Sequence, residues 1–271
     1  MIKLDNTLLL GHRGARSEAL ENTLHGFEHA YGLQPRGLAG VEFDVQLTAD
    51  GHLIIFHDET LQRLCGLQSR VDQLSLVEIQ RQLQSGHKII TLDMLAQSMI
   101  YPSKAVLFQS SLSKYLIPVT QKPKILIPTL TQFTHIELEI KTHDRTNYSK
   151  LIQALTRYLV DTPLASLPIV LTTFDVQLLA QLQRNKSLAH IPRGLLVRMP
   201  QLLASAPNTA LQLGCTRLGI YYPLITQSVI QNSHRHGLPV SAWTVNDIEV
   251  AKQLIKWQVD VIITDIPTQL L

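Results

Sequence analysis

The sequence predicts an α/β protein, a single (β/α)8 TIM barrel with an insertion after the second strand, and three observations carry that expectation. The first is a set of eight short β-branched or Leu-rich runs, at residues 7–10, 39–45, 135–141, 168–172, 194–197, 216–221, 238–244 and 259–264. Several are apolar nearly throughout, as parallel strands buried on both faces should be. The second is helical periodicity between most of them: Asn22 precedes Leu24, Phe27 and Tyr31, Asp175 caps a run with Leu178, Leu179 and Leu182, and Asn246-x-x-Glu249 opens a run with Val250, Leu254 and Trp257. The third is length, since 271 residues suit one barrel domain spanning 1–271. Eightfold alternation of strand and helix favours a barrel over an open doubly wound sheet.

One interval breaks the rhythm. Between Asp58 and Thr134 strict alternation stops, and Pro102, Pro118, Pro123 and Pro128 punctuate its second half. Residues 58–134 are therefore read as an insertion that caps the active face, with helices near 72–83 and 92–99.

Composition narrows the function. Hydrophobic residues make up 45% and charged residues 17%, enough for a large core, and 24 Lys+Arg against 21 Asp+Glu leave a net charge of only +3. With no dense basic run, nucleic acid is not an expected partner. No apolar stretch approaches the roughly 20 residues of a membrane span, and the opening run, Leu8 to Leu10, is too short for a signal-peptide core, so a cytoplasmic enzyme or binding protein is expected. Cys65 and Cys215 match no metal spacing and are read as ordinary thiols.

In a barrel the chemistry lies at the C-terminal ends of the strands. The first strand ends in Gly11-His12-Arg13-Gly14. On the second, alternation places Glu42 and Asp44 on one face, opposite Val41, Phe43 and Val45. After an Asp50-Gly51 turn, residues 52–56 read as a hairpin that returns His57-Asp58 to the same mouth. The third strand carries Glu137, Glu139 and Lys141 on one face. Inward ionisable groups need partners or a metal. Three carboxylates without a thiolate, Glu42, Asp44 and one glutamate of the third strand, suit a hard divalent cation, Mg²⁺ or Ca²⁺. Arg13 and Lys141 then have a phosphate as their natural target, leaving two histidines as acid and base.

The motifs Gly11-His12-Arg13-Gly14-Ala15, Glu21-Asn22-Thr23, Glu42-Phe43-Asp44-Val45, Asp50-Gly51, His57-Asp58, Glu139-Ile140-Lys141, Pro192-Arg193-Gly194-Leu195, Trp243-Thr244-Val245-Asn246 and Thr264-Asp265, in this order, resemble the glycerophosphodiester phosphodiesterase family. The resemblance implies a barrel with an insertion after its second strand and a divalent cation near two catalytic histidines. It implies His12 and His57 as acid–base residues, Arg13 and Lys141 as phosphate ligands, and Glu42, Asp44 and Glu139 as metal ligands. Glu139 also lies one pleat, about 6.6 Å, nearer the catalytic end than Glu137 and stands beside Lys141. The family's proline before Glu-Asn-Thr is Leu20 here, and its Pro-x-Leu element corresponds either to Pro128-Thr129-Leu130 or to Ile90-Thr91-Leu92.

The expected reaction is hydrolysis of a glycerophosphodiester to sn-glycerol 3-phosphate and an alcohol. No Ser or Cys among the motif residues offers a nucleophile, so the tethered glycerol 2-hydroxyl is expected to attack through a 1,2-cyclic phosphate. Lysophospholipase D or sphingomyelinase D-like chemistry is the enzymatic alternative, and a noncatalytic phosphodiester-binding barrel the rival of another class. Asp58 is read as a hydrogen-bond support for His57. Trp243 is read either as core packing or as a wall for the glycerol moiety. His25 and His29, at i, i+4, and the His234-Arg235-His236 run are read as solvated helix features.

Overall fold

In a computed structural model, which describes residues 2–83, 89–100 and 128–271, the strands in chain order are β1 (Leu8–His12), β2 (Gly40–Leu47), β3 (Leu53–Ile55), β4 (Ile90–Thr91) and β5 (His135–Ile140). They continue as β6 (Ile169–Thr173), β7 (Arg193–Val197), β8 (Arg217–Tyr221), β9 (Val240–Trp243) and β10 (Val261–Thr264). Eight of them, all but β3 and β4, pair in parallel, and β1 closes the circuit by pairing with both β10 and β2. This is the predicted TIM barrel.

The helices are α1 (Leu24–Gly32), α2 (Gln62–Cys65), α3 (Leu76–Gln82), α4 (Leu92–Ile100), α5 (Pro128–Thr131), α6 (Tyr148–Leu159), α7 (Val176–Arg184), α8 (Ala206–Gln212), α9 (Gln227–Arg235), α10 (Ile248–Lys256) and α11 (Pro267–Leu270). Period-2 alternation sorts the strand residues. Val41, Phe43 and Val45 face outward into the main core beneath the helices, where the Phe43 and Phe27 rings lie 5.4 Å apart, while Glu42 and Asp44 face the barrel axis. Leu10, Val261 and Ile263 fill the interior.

After β2 the chain leaves the barrel. β3 turns back antiparallel on β2, Val45 opposite Ile55, as the hairpin reading expects, and β4 pairs antiparallel with β3. This excursion has a small core of its own, from Ile54, Phe56, Leu61, Val71, Ile79 and Ile89. α4 differs: Leu92, Leu95 and Ala96 join the main core, and the helix packs near α6 as part of the outer ring. Ile90-Thr91-Leu92 therefore leads into a ring helix, with Thr91 Oγ1 accepting from Met94 N at 3.0 Å, whereas Pro128 opens a single turn before β5. Of the two helices expected within 58–134, the first starts later, at Leu76, because Ser75 forms a capping box with Glu78. Pro102, Pro118 and Pro123 lie outside the described residues.

Two helix starts differ by one residue from the sequence reading. Thr23, not Asn22, caps α1, and Asp247, not Asn246, caps α10. Both asparagine side chains are engaged elsewhere: Asn22 Nδ2 donates to Asp44 and Asn246 Nδ2 to Asp265. Asp175 caps α7 as expected. Both cysteines are free. His29 lies against Glu18, which also accepts from Thr268, so it pins α1 to the chain's far end and is not a solvated helix feature.

Candidate active site

Strand register assembles the mouth of the barrel. His12 pairs with Glu42 across β1 and β2, and Glu42 and Asp44 pair with Glu137 and Glu139 across β2 and β5. After His12 the chain turns sharply: Arg13 takes φ 51° and Gly14 φ 93°. The turn folds back so tightly that a Cβ on Gly11 would sit 1.8 Å from the Gly14 carbonyl oxygen. Only a side chain-free backbone permits that approach. The turn points the Arg13 guanidinium over β2, with Nη1 donating to Glu21 at 2.7 Å and Nε lying 3.2 Å from Asp44.

Glu42, Asp44 and Glu139 each place a carboxylate oxygen within 4.8 Å of the others. Burial pushes the Glu42 carboxyl well above its ordinary range, and the charges of Asp44 and Glu139 push it further. Burial raises Glu139 as well, while for Asp44 the charges of Lys141 and Arg13 outweigh burial and hold it down. Lys141 Nζ lies 3.0 Å from Asp44 Oδ1 and donates to Glu139. Asp44 Oδ1 is buried without a hydrogen bond of good geometry. A converging all-oxygen donor set, with repulsion left over and a lone pair unclaimed, fits a hard divalent cation.

Each histidine is tied down by its own carboxylate. His12 Nδ1 donates to Asp265 Oδ1 at 2.5 Å, and Asp265 in turn accepts from Asn246 Nδ2 at 2.7 Å. His57 Nδ1 donates to Asp58 Oδ1 at 2.7 Å. With Nδ1–H committed, Nε2 is the nitrogen left for a ligand on both rings; that of His12 lies 3.7 Å from Glu42. Burial lowers both imidazoles below the usual histidine range, against the upward pull of Asp265 on one and Asp44 on the other.

A cleft lined by His12, Glu42, Glu139 and Trp243, among others, opens at this end of the barrel. Trp243 packs edge-on to Phe174 and tilts against Tyr221, yet its Nε1 is buried without a partner. Core packing and a cavity wall thus meet in one residue. Glu137 also reaches this cavity but is held by Ser241, His135 and Arg217.

All eight residues singled out from sequence, His12, Arg13, Glu42, Asp44, His57, Glu139, Lys141 and Trp243, lie at one end of the barrel. The sequence reading assigned no role to Asp265 or Glu21 and read Asn246 only as a helix start, although each belongs to a quoted motif. Asp265 was open to the rule that found the others, a polar residue directly after a buried strand. Glu21 gave no such signal, because it lies in a loop.

Fold and site together define a (β/α)8 barrel whose carboxylate-rich mouth also gathers Arg13, Lys141 and two histidines. The sequence model of the Glycerophosphoryl diester phosphodiesterase family matches residues 12–269. The chain belongs to that family. A glycerophosphodiester phosphodiesterase of Caldanaerobacter subterraneus subsp. tengcongensis is 29% identical over 266 residues, 98% of this chain and 96% of the relative. An Oleispira antarctica phosphodiesterase, solved in complex with the product sn-glycerol-3-phosphate, superposes with a TM-score of 0.73 at 22% identity, over 97% of this chain and 94% of that one. A Thermotoga maritima glycerophosphodiester phosphodiesterase gives 0.68 at 21% identity, over 97% and 96%.

Proposed function

We propose that this protein hydrolyses glycerophosphodiesters to sn-glycerol 3-phosphate and an alcohol, with His12 and His57 as the acid–base pair. The observation that carries this reading is the pair of imidazoles, each with Nδ1 fixed by a carboxylate, beside an oxygen-only acidic cluster with Arg13 and Lys141 in contact. The full-length similarity to the Caldanaerobacter enzyme and the product held by the Oleispira enzyme support the same substrate class.

In this reading Arg13 and Lys141 hold the phosphate, and Trp243 walls the glycerol end. One histidine removes the proton of the glycerol 2-hydroxyl, which attacks phosphorus, while the other protonates the departing alcohol oxygen. The two then exchange roles as water opens the 1,2-cyclic phosphate. Glu42, Asp44 and Glu139 would hold Mg²⁺ or Ca²⁺, and a divalent cation there supplies charge neutralisation for the anionic diester. The excursion over residues 58–83 is read as covering the mouth, a reading supported by Arg63 of α2, which reaches Glu21 and Asp58.

The test is glycerol 3-phosphate release from a panel of glycerophosphodiesters, with and without exhaustive chelation verified by elemental analysis. Turnover should vanish on chelation and return with Mg²⁺ or Ca²⁺; undiminished turnover in metal-free protein refutes the metal assignment. His12→Ala and His57→Ala should each lower kcat by about 10² or more. A 2-deoxy substrate analogue should bind without turning over, and its normal hydrolysis would discard the cyclic step.

A further inference from the structure

Arg63, on the short helix α2, makes four hydrogen bonds to two carboxylates. Nη1 and Nη2 donate to the two Glu21 oxygens at 2.8 and 2.7 Å, while Nε and Nη2 donate to the two Asp58 oxygens at 2.6 and 3.0 Å. Each carboxylate has a second engagement at the mouth: Glu21 accepts from Arg13 Nη1, and Asp58 from His57 Nδ1. A planar guanidinium that forks two carboxylates fixes their relative position, as a lysine ammonium does not.

We propose that Arg63 is a positioning residue that sets the His57 imidazole through Asp58 and the Arg13 guanidinium through Glu21, so that the two groups are held as one unit. The inference rests on the roles given above to His57 and Arg13. It follows from where Arg63 stands. The residue belongs to the excursion with its own small core, whereas Glu21 lies on the β1–α1 turn of the barrel, so the bracket locks these two independently packed parts at the mouth. Arg16 also donates to Glu21, at 3.1 Å, but does not reach Asp58. Among the described residues, the other side chain on the Asp58 carboxylate is His57 itself, while Gln46 Nε2 donates to the Asp58 backbone carbonyl. The Arg63 side chain is 39% exposed but its Glu21 partner is buried, so the bracket contributes both to stability and to the geometry of the mouth.

The experiment compares wild type with Arg63→Ala and Arg63→Lys. In protein with ¹⁵N-labelled histidine, the His57 Nδ1–H signal is identified by its loss in His57→Asn. That signal should be protected in wild type and broadened by exchange in Arg63→Ala. Because the position opens to solvent, millimolar guanidinium should restore it, and Arg63→Lys should restore it only in part. Hydrolysis by Arg63→Ala should fall about 10- to 100-fold in kcat, and guanidinium should restore it together with any fall in melting temperature. A wild-type signal and wild-type kcat in Arg63→Ala overturn the proposal. So does a loss accompanied by a lowered melting temperature that guanidinium does not reverse, since that is the behaviour of a merely structural residue. If wild type releases no glycerol 3-phosphate, the hydrolysis reading fails, and the His57 signal alone still decides the role of Arg63.

Discussion

Glu137 and Glu139 point the same way from one strand and have opposite surroundings. Glu137, 1% exposed, is compensated by Arg217, His135 and Ser241, whereas Glu139 shares its site with Asp44 and Glu42. Replacing each by glutamine should separate the two. Glu137→Gln removes one member of a compensated buried ion cluster, so its melting temperature should fall by several degrees, the effect of about 1–3 kcal/mol. Glu139→Gln should keep its melting temperature in metal-free buffer but lose the stabilisation that added Mg²⁺ or Ca²⁺ gives wild type. The reverse pattern, read by thermal denaturation with and without cation, contradicts the ligand assignment. At this scale the sequence was informative where side-chain parity and strand depth both applied, as for Glu42, Asp44 and Glu139. It was silent where a partner comes from an irregular turn with no side-chain parity, as Glu21 does to Arg13.

The β1–α1 turn shows how an element's backbone governs a site. Gly14 combines φ 93° with a virtual Cβ that lies 2.8 Å from the Gly26 backbone, so any side chain is both strained and crowded by a rigid neighbour. Gly14→Ala should destabilise by about 1–3 kcal/mol and displace Arg13, raising KM for the anionic substrate. An unchanged melting temperature and KM would show that the turn relaxes freely. The strands were legible as elements because burial on both faces leaves an apolar run that no solvent-exposed segment imitates. The starts of α1 and α10 were not, since the propensity of Asn for caps does not reveal that Asn22 and Asn246 are taken by Asp44 and Asp265. Helix α4 was legible at 92–99, but its place in the outer ring was not, because the excursion that precedes it interrupts the alternation by which the other ring helices are recognised.

Across the whole molecule, charge pairing at the mouth bears on acid stability. Burial would raise the Glu21 carboxyl, but hydrogen bonds and charges from Arg63 and Arg13 hold it at about 2, against an ordinary 4.5. A carboxyl depressed on folding stabilises the native state above its unfolded value and loses that contribution as pH falls. The window is therefore from about 4.5 down towards 2, and the gap corresponds to on the order of 3 kcal/mol. Denaturant unfolding across this range should show a stability difference between wild type and Glu21→Gln that is full at neutral pH and shrinks as the pH drops. A difference independent of pH would mean that Glu21 acts by shape alone.

The His12–Asp265 contact joins residues 253 positions apart, and Asp265 follows the strand that closes the barrel against β1. A ribosome makes the histidine first and its carboxylate 253 residues later. Until the segment bearing Asp265 has left the exit tunnel, His12 lacks the partner that fixes its ring, and β1 lacks one of its two neighbours. A nascent or prematurely terminated chain thus carries both histidines, Arg13 and all three acidic residues of the cluster, yet no completed catalytic mouth. The order of synthesis makes the appearance of activity a report that the barrel has closed.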